Sequence, residues 1–387
     1  MQQEMDGSAA ARHGRVRPRL WSRVPGPGLA LGLVLGLAFG GTAAWADPSA
    51  MVPAGPSAAV DTTLPGELGF SVGLDALRWQ GALDLTDEFA DYRQLGAGWL
   101  RVDLNWSVVQ AAGPDSFDWT SLDRILVLAD RAGMKLLPVA GSAPDWLDGG
   151  RGPSTPEAFA AYADFLSAAV HRYSPRIRAW EIWNEPNLSS FWPPAPDQTA
   201  YAQLLRAAHA AIKAADPTAL VLFGGLSPVP DIPPEESQAR RLVPAVRFLA
   251  DVYAAGGAGT FDALSFHPYT WPELPDSPNP WSGWTIMAGP IRDLMTAHGD
   301  AGKKVWITEF GAPTNPGGVT EATQAEILRR GVERARATPW AGPVLWYSYR
   351  DLGTDPEDSE DWYGLVRHTR DPKPAYPVFR DLAKTRP

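Results

Sequence analysis

The chain has 387 residues, 45% of them hydrophobic, with a net charge of −10 and no cysteine. That acidity argues against nucleic acids and anionic membranes as partners and favours a neutral ligand over a polyanion. Without disulfides, stability must come from a packed core, and the length suits one β/α barrel with loop insertions better than two ordinary domains.

Arg12, Arg15, Arg17, Arg19 and Arg23 precede an apolar run that is densest from Leu29 to Phe39, and Ala44-Trp45-Ala46 follows just before Asp47. A basic, then apolar, then small-residue order is that of a secretory signal peptide over residues 1–46, which predicts a secreted or envelope-associated protein. The alternative is an uncleaved anchor, since a span needs about 20 apolar residues; only then would a membrane be a partner. Ser49 to Pro65 is rich in Pro, Ala, Ser and Gly, so residues 47–66 read as a flexible linker. Residues 67–387 remain for one catalytic domain.

Eight short apolar runs read as strands: Leu68–Val72, Trp99–Leu104, Lys135–Val139, Ala179–Trp183, Leu220–Phe223, Ala263–Phe266, Val305–Thr308 and Val344–Tyr347. Helical patterns alternate with them. Asp87 to Leu95 ends at Gly96 and Ser121 to Ala132 ends at Gly133, both suited to a left-handed C-cap. Thr155-Pro156 opens a helix toward Tyr173 with a capping hydroxyl and a first-turn proline. Gln198–Ala215, Leu242–Ala254, Ile291–His298, Glu321–Arg336 and Tyr376–Ala383 complete the set. Strand and helix alternating eight times predict an α/β fold, a single eight-fold (TIM) barrel. No Gly-rich phosphate loop follows the first strand, which disfavours a doubly wound sheet. Two long Pro-rich loops, Ser227 to Arg240 and Thr270 to Gly283, fall on the face where a barrel keeps its chemistry.

Two runs end in a glutamate: Trp180-Glu181-Ile182-Trp183-Asn184-Glu185-Pro186-Asn187 and Val305-Trp306-Ile307-Thr308-Glu309-Phe310-Gly311. All C-terminal strand ends of a parallel barrel open onto one face. Strands four and seven lie on opposite sides of its mouth, so Glu185 and Glu309 can face one another. Paired carboxyls so placed are the equipment for cleaving a glycosidic bond. Pro186 bends the chain away and exposes Glu185, and Asn184 is placed to hydrogen-bond a sugar 2-hydroxyl.

These two motifs, Trp183-Asn184-Glu185-Pro186 and Ile307-Thr308-Glu309-Phe310-Gly311, resemble those of glycoside hydrolase clan A. Within it the chain is most similar to the β-xylosidase-like family 39 and related secreted cellulase-like enzymes of bacteria, from Leu68 to the C-terminus. The resemblance implies a retaining β-glycosidase with Glu185 as acid/base and Glu309 as nucleophile. It also implies Arg101, in Leu100-Arg101-Val102-Asp103, as a charge beside the nucleophile. His267-Pro268-Tyr269 resembles the clan's His-x-Tyr, which touches nucleophile and substrate, and Trp346 matches an aromatic flooring the cleaved sugar's subsite. Trp146 is a further subsite candidate, since indole faces stack on sugars. Phe310-Gly311-Ala312-Pro313 departs from the Trp-Asn of family 39 β-xylosidases, so the resemblance does not carry xylosidase specificity.

Other chemistries find no equipment. The six histidines show no metal-ligand spacing, no Gly-x-Ser-x-Gly elbow appears, and neither metal nor cofactor is expected. The acidic stretch Asp355 to Asp361 lacks the EF-hand pattern and reads as a solvated rim loop rather than a calcium site. The expected partner is a carbohydrate substrate, with no obligate protein partner evident. A transglycosidase remodelling envelope polysaccharide and a non-catalytic glycan-binding barrel are the alternatives.

Overall fold

A computed structural model of the chain describes residues 66–73 and 82–385. The expected signal segment 1–46 and the linker 47–66, Gly66 apart, lie outside the described residues. Eight parallel strands close into a barrel in sequential order: β1 (Leu68–Val72), β2 (Trp99–Asn105), β3 (Lys135–Gly141), β4 (Ala179–Asn184), β5 (Leu220–Leu226), β6 (Ala263–Phe266), β7 (Lys304–Phe310) and β8 (Ala341–Tyr347). Phe70 of β1 pairs with Leu100 of β2 on one side and with Trp346 of β8 on the other, which seals the ring. The TIM barrel expected from the alternating pattern is therefore the fold.

The strands β2, β3, β4, β5 and β7 run one to three residues past their predicted C-terminal ends, because ladder pairing continues through polar residues such as Asn105 and Asn184. These extra residues are at the mouth of the barrel, where the chemistry-bearing side chains sit.

Helix signals act as read. Thr155 caps the helix Pro156–Tyr173 by accepting from the Ala158 N–H at 3.2 Å, and Asp197 does the same for Gln198–Ala215 at 2.8 Å through Ala200. Gly133 closes Thr120–Ala132 at φ 73°, a left-handed turn that glycine adopts without strain. Several boundaries move, and the first helix, expected from Asp87, spans Ala82–Leu95. The helix expected from Leu242 begins at Ala245, because the extended Pro244 precedes it and Val243 N–H is spent on the Asn187 carbonyl at 2.8 Å. The helix expected from Ile291 is Arg292–Ala297, preceded by a π-turn at Met287–Ile291 that holds Pro290. The loop Ser227 to Arg240 contains a short helix, Pro234–Arg240. No helix among the described residues is long and apolar enough to cross a membrane.

Seven strands each send one side chain into the barrel's lower interior: Trp99, Leu137, Ala179, Leu222, Ala263, Trp306 and Leu345 pack as a cluster separate from the larger core. Trp99 meets Trp306 edge-on at 5.0 Å. The larger core lies between the strands' outer faces and the helices, where Phe70 stacks on Phe379 at 4.5 Å. The inner plug is a floor on which the next layer of inward side chains stands.

Candidate active site

Side chains alternate across a strand, so two residues beyond that apolar floor the same inward face carries Ser71, Arg101, Glu181, Ser265, Thr308 and Tyr347. This layer is polar, and Arg101 is its hub. Its guanidinium, 3% exposed, donates to Glu181 Oε2 at 2.8 Å and Oε1 at 3.1 Å, to Ser71 Oγ at 3.1 Å and to Asn184 Oδ1 at 2.7 Å. Its Nη1 also donates to Glu309 Oε1. Burial works against the charge, but Glu181 and Glu309 outweigh it and hold the guanidinium above its ordinary pKa. Glu181 is fully buried and also accepts from the Gly225 N–H at 2.9 Å and from Thr308 Oγ1 at 3.3 Å. Every oxygen of that carboxylate is thus matched, the condition under which a buried ion pair is tolerable.

Above this layer stand the two glutamates at the strand ends. Glu185 follows β4 at φ 38°, after Trp183 at φ 73°. Two left-handed non-glycine residues here are the local strain that clusters at functional sites. They turn Glu185 into the mouth while its N–H stays on the Gly225 carbonyl at 2.9 Å. His267, fully buried, sets its Nδ1 3.0 Å from Glu185 Oε1 and 3.6 Å from Glu309 Oε2, with Nε2 3.2 Å from Thr308 Oγ1. The imidazole fits because residue 225 is glycine: a Cβ there would lie 2.1 Å from His267 Nε2.

Glu309 accepts from the Tyr269 hydroxyl at 3.0 Å as well as from Arg101. Burial alone would raise its pKa, but the attraction of His267 and Arg101 and the bonds from Tyr269 and Arg101 bring it below the ordinary carboxylate value. Tyr269 is pushed the opposite way, first by burial and then by the Glu309 charge, so its phenol keeps its proton and remains a donor. One oxygen of Glu185, one of Glu309 and a ring nitrogen of His267 all lie within 4.8 Å of each other. The glutamate side chains are 12% and 15% exposed, so both reach the opening from an enclosed position. Such a trio has the spacing of cation ligands, but the guanidinium already on Glu309 opposes a divalent ion there.

The structure therefore brings Glu185, Glu309, Arg101, Asn184, His267 and Tyr269 together. It does not bring Trp346 with them. Trp346 points outward from β8, fully buried, edge-on to Phe310 at 5.5 Å and bonded to the Tyr363 carbonyl at 3.3 Å. The pleat turns its neighbour Tyr347 inward instead, so Tyr347 is the β8 aromatic at the site. Trp146 spends its indole N–H on the Gln110 carbonyl at 2.6 Å and packs edge-on to Trp106 at 6.1 Å. The acidic stretch expected to be a solvated rim folds partly inward. Asp361 is 3% exposed, and Glu360 accepts from the Tyr347 hydroxyl at 2.8 Å. Glu181 was also legible in principle: a charge inside an apolar strand must be paired, and only β2 offers an inward cation at that height.

A sequence profile of the cellulase family (glycosyl hydrolase family 5) matches residues 66–347. No curated protein matches the chain. Among solved structures, a family 39 glycoside hydrolase from the gut symbiont Bacteroides cellulosilyticus WH2 is similar at 24% identity and a TM-score of 0.66, over 84% of this chain and 65% of that one. A monomeric β-xylosidase from Caulobacter crescentus CB15 is similar at 21% identity and a TM-score of 0.59, over 84% of this chain and 70% of that one. GH5_18 from Streptomyces cattleya, solved with GlcNAc, is similar at 17% identity and a TM-score of 0.63, over 83% of this chain and 80% of that one. The chain thus spans about two thirds of the first two structures, and these likenesses show the shared eight-fold barrel. With the family profile spanning well over half of its length, the chain belongs to the cellulase family, glycosyl hydrolase family 5, and is an O-glycosyl hydrolase.

Proposed function

We propose that the protein is a retaining β-glycosidase that acts on an extracellular poly- or oligosaccharide by double displacement. The observation that carries this reading is the approach of an oxygen of Glu185 and one of Glu309 to within 4.8 Å. A retaining pair works at about 5–5.5 Å, whereas an inverting pair needs about 6.5–9.5 Å to admit a water between. Glu309 is the nucleophile. Arg101, His267 and Tyr269 favour its ionised form, which is the form that attacks the anomeric carbon. Glu185, which no arginine among the described residues pairs with, protonates the departing oxygen and then takes a proton from the water that releases the sugar. Asn184 is anchored by Arg101, which leaves its amide N–H2 free in direction to meet a 2-hydroxyl. Tyr269 holds Glu309 oriented and can follow the charge that leaves it as the glycosyl bond forms.

The test is an assay of the secreted protein on β-linked polysaccharides and aryl β-glycosides beside Glu185→Ala and Glu309→Ala. Both substitutions should abolish cleavage, and azide should rescue Glu309→Ala with a glycosyl azide of inverted anomeric configuration. Activity that survives both substitutions would sink the assignment.

A further inference from the structure

The cleft wall beside Glu309 contains a third carboxyl that double displacement does not use. Tyr269, whose hydroxyl is on Glu309, has its ring 6.1 Å from that of Tyr363, and Tyr363 is 5.2 Å from Tyr347. Tyr347 in turn donates to Glu360 Oε2 at 2.8 Å. A side-chain hydrogen bond from Trp271 steadies Tyr363. Three touching phenol rings thus join the nucleophile to Glu360, and Glu309 and Glu185 both act on its charge. Glu360 is half-buried, and among the described residues no basic side chain pairs with it and Tyr347 alone donates to its carboxyl. Burial, followed by the negative charge of Glu309, Asp358 and Glu185, pushes that carboxyl up to about 7.

A carboxyl held this way is unfavourable in the empty protein. A ligand with polar hydrogens recovers the loss, and a sugar supplies them as hydroxyls while its C–H faces lie against phenol rings. We infer that Glu360, with Tyr347 and Tyr363, forms the polar wall of the subsite holding the sugar that Glu309 attacks, and selects that sugar by hydrogen-bonding one ring hydroxyl. The inference rests on Glu309 as nucleophile for its placement of the sugar. It makes Glu360 a substrate-binding residue, with no proton transfer of its own in the reaction.

The experiment compares kcat/KM of the wild type, Glu360→Ala and Glu360→Gln on the 4-nitrophenyl β-glycoside cleaved fastest and on its monodeoxy analogues. One analogue should be disfavoured by the wild type by about 10–100-fold, since the missing hydroxyl leaves an enclosed carboxyl oxygen without its partner. Both variants should compress that one ratio to within about 3-fold and leave the other analogues' ratios unchanged. A uniform loss across all analogues, or an undiminished penalty at every position, overturns the inference. If aryl glycosides are not turned over, calorimetric binding of the matching monodeoxy sugars reads the same ratios. Hydrolysis that persists in Glu309→Ala would instead overturn the double-displacement reading, so the two fail separately.

Discussion

Arg101 serves two carboxylates at once, one that never leaves the interior and one that reacts. Replacing it by Met leaves Glu181 buried without its cation, a loss of about 3–5 kcal/mol. It also leaves burial less opposed in setting the Glu309 pKa. The acid limb of kcat/KM should therefore move to higher pH, with a fall of at least about 100-fold in the rate constant. The double variant Arg101→Met/Glu181→Met removes the stranded charge and should melt near the wild type while keeping the displaced acid limb. A folded double variant with an unmoved limb would show that Arg101 does not set the nucleophile's ionisation. Gly225→Ala tests the other support of the site. Its new methyl would stand 2.1 Å from the imidazole, so His267 must yield its place between Glu185 and Thr308. The expected result is a loss of about 1–3 kcal/mol in stability with a drop in kcat larger than any change in KM, read from melting curves and initial rates.

At the level of the strand, one residue of register separates a core position from a cleft position. Trp346 and Tyr347 are adjacent on β8, yet the first packs on Phe310 beneath the helices and the second meets Glu360 in the mouth. Trp346→Ala should destabilise the fold by about 3–5 kcal/mol, and Tyr347→Phe should leave the melting temperature within a few degrees while lowering turnover. Equal melting losses in both variants would contradict this division. The same alternation marks what the sequence makes legible. A glutamate after an apolar run is visible because strand ends of a parallel barrel share one face, and the eight-fold alternation is visible because each strand and helix keeps its own period. The inward direction of Arg101, His267 and Tyr269 came from a family resemblance, since a single strand does not reveal which of its two faces turns inward. The same resemblance puts Trp346 in the cleft, and the pleat of β8 gives that place to Tyr347 instead. Glu360 is hidden for a different reason: an acidic run with no periodicity carries no information about which of its side chains the tyrosine ending the preceding strand will draw in.

Over the whole molecule, the closed sheet places its floor of aromatic and aliphatic side chains under a polar layer, and two carboxyls above that layer couple stability to pH in opposed directions. Glu309 has a folded pKa below its unfolded value, so the stability it contributes is present above about pH 4.3 and declines as pH falls through the folded value. Glu360 runs the other way. Its folded value of about 7 exceeds the unfolded one, so the folded state binds that proton more tightly and loses stability as pH rises from about 4.3 through 7. Glu309→Gln should therefore lower the melting temperature at pH 8, where the wild type has the benefit of the anion. Glu360→Gln should raise it at pH 8 by the equivalent of about 1–2 kcal/mol, allowing for solvent screening of a half-buried group, and leave it nearly unchanged at pH 4. Melting both variants across that range separates the two contributions. A Glu360→Gln protein no more stable than the wild type at pH 8 would mean that its carboxyl is not held at a cost in the empty cleft. A stabilised variant with impaired sugar selection would be the exchange of stability for function expected where a site keeps a charge ready for its ligand.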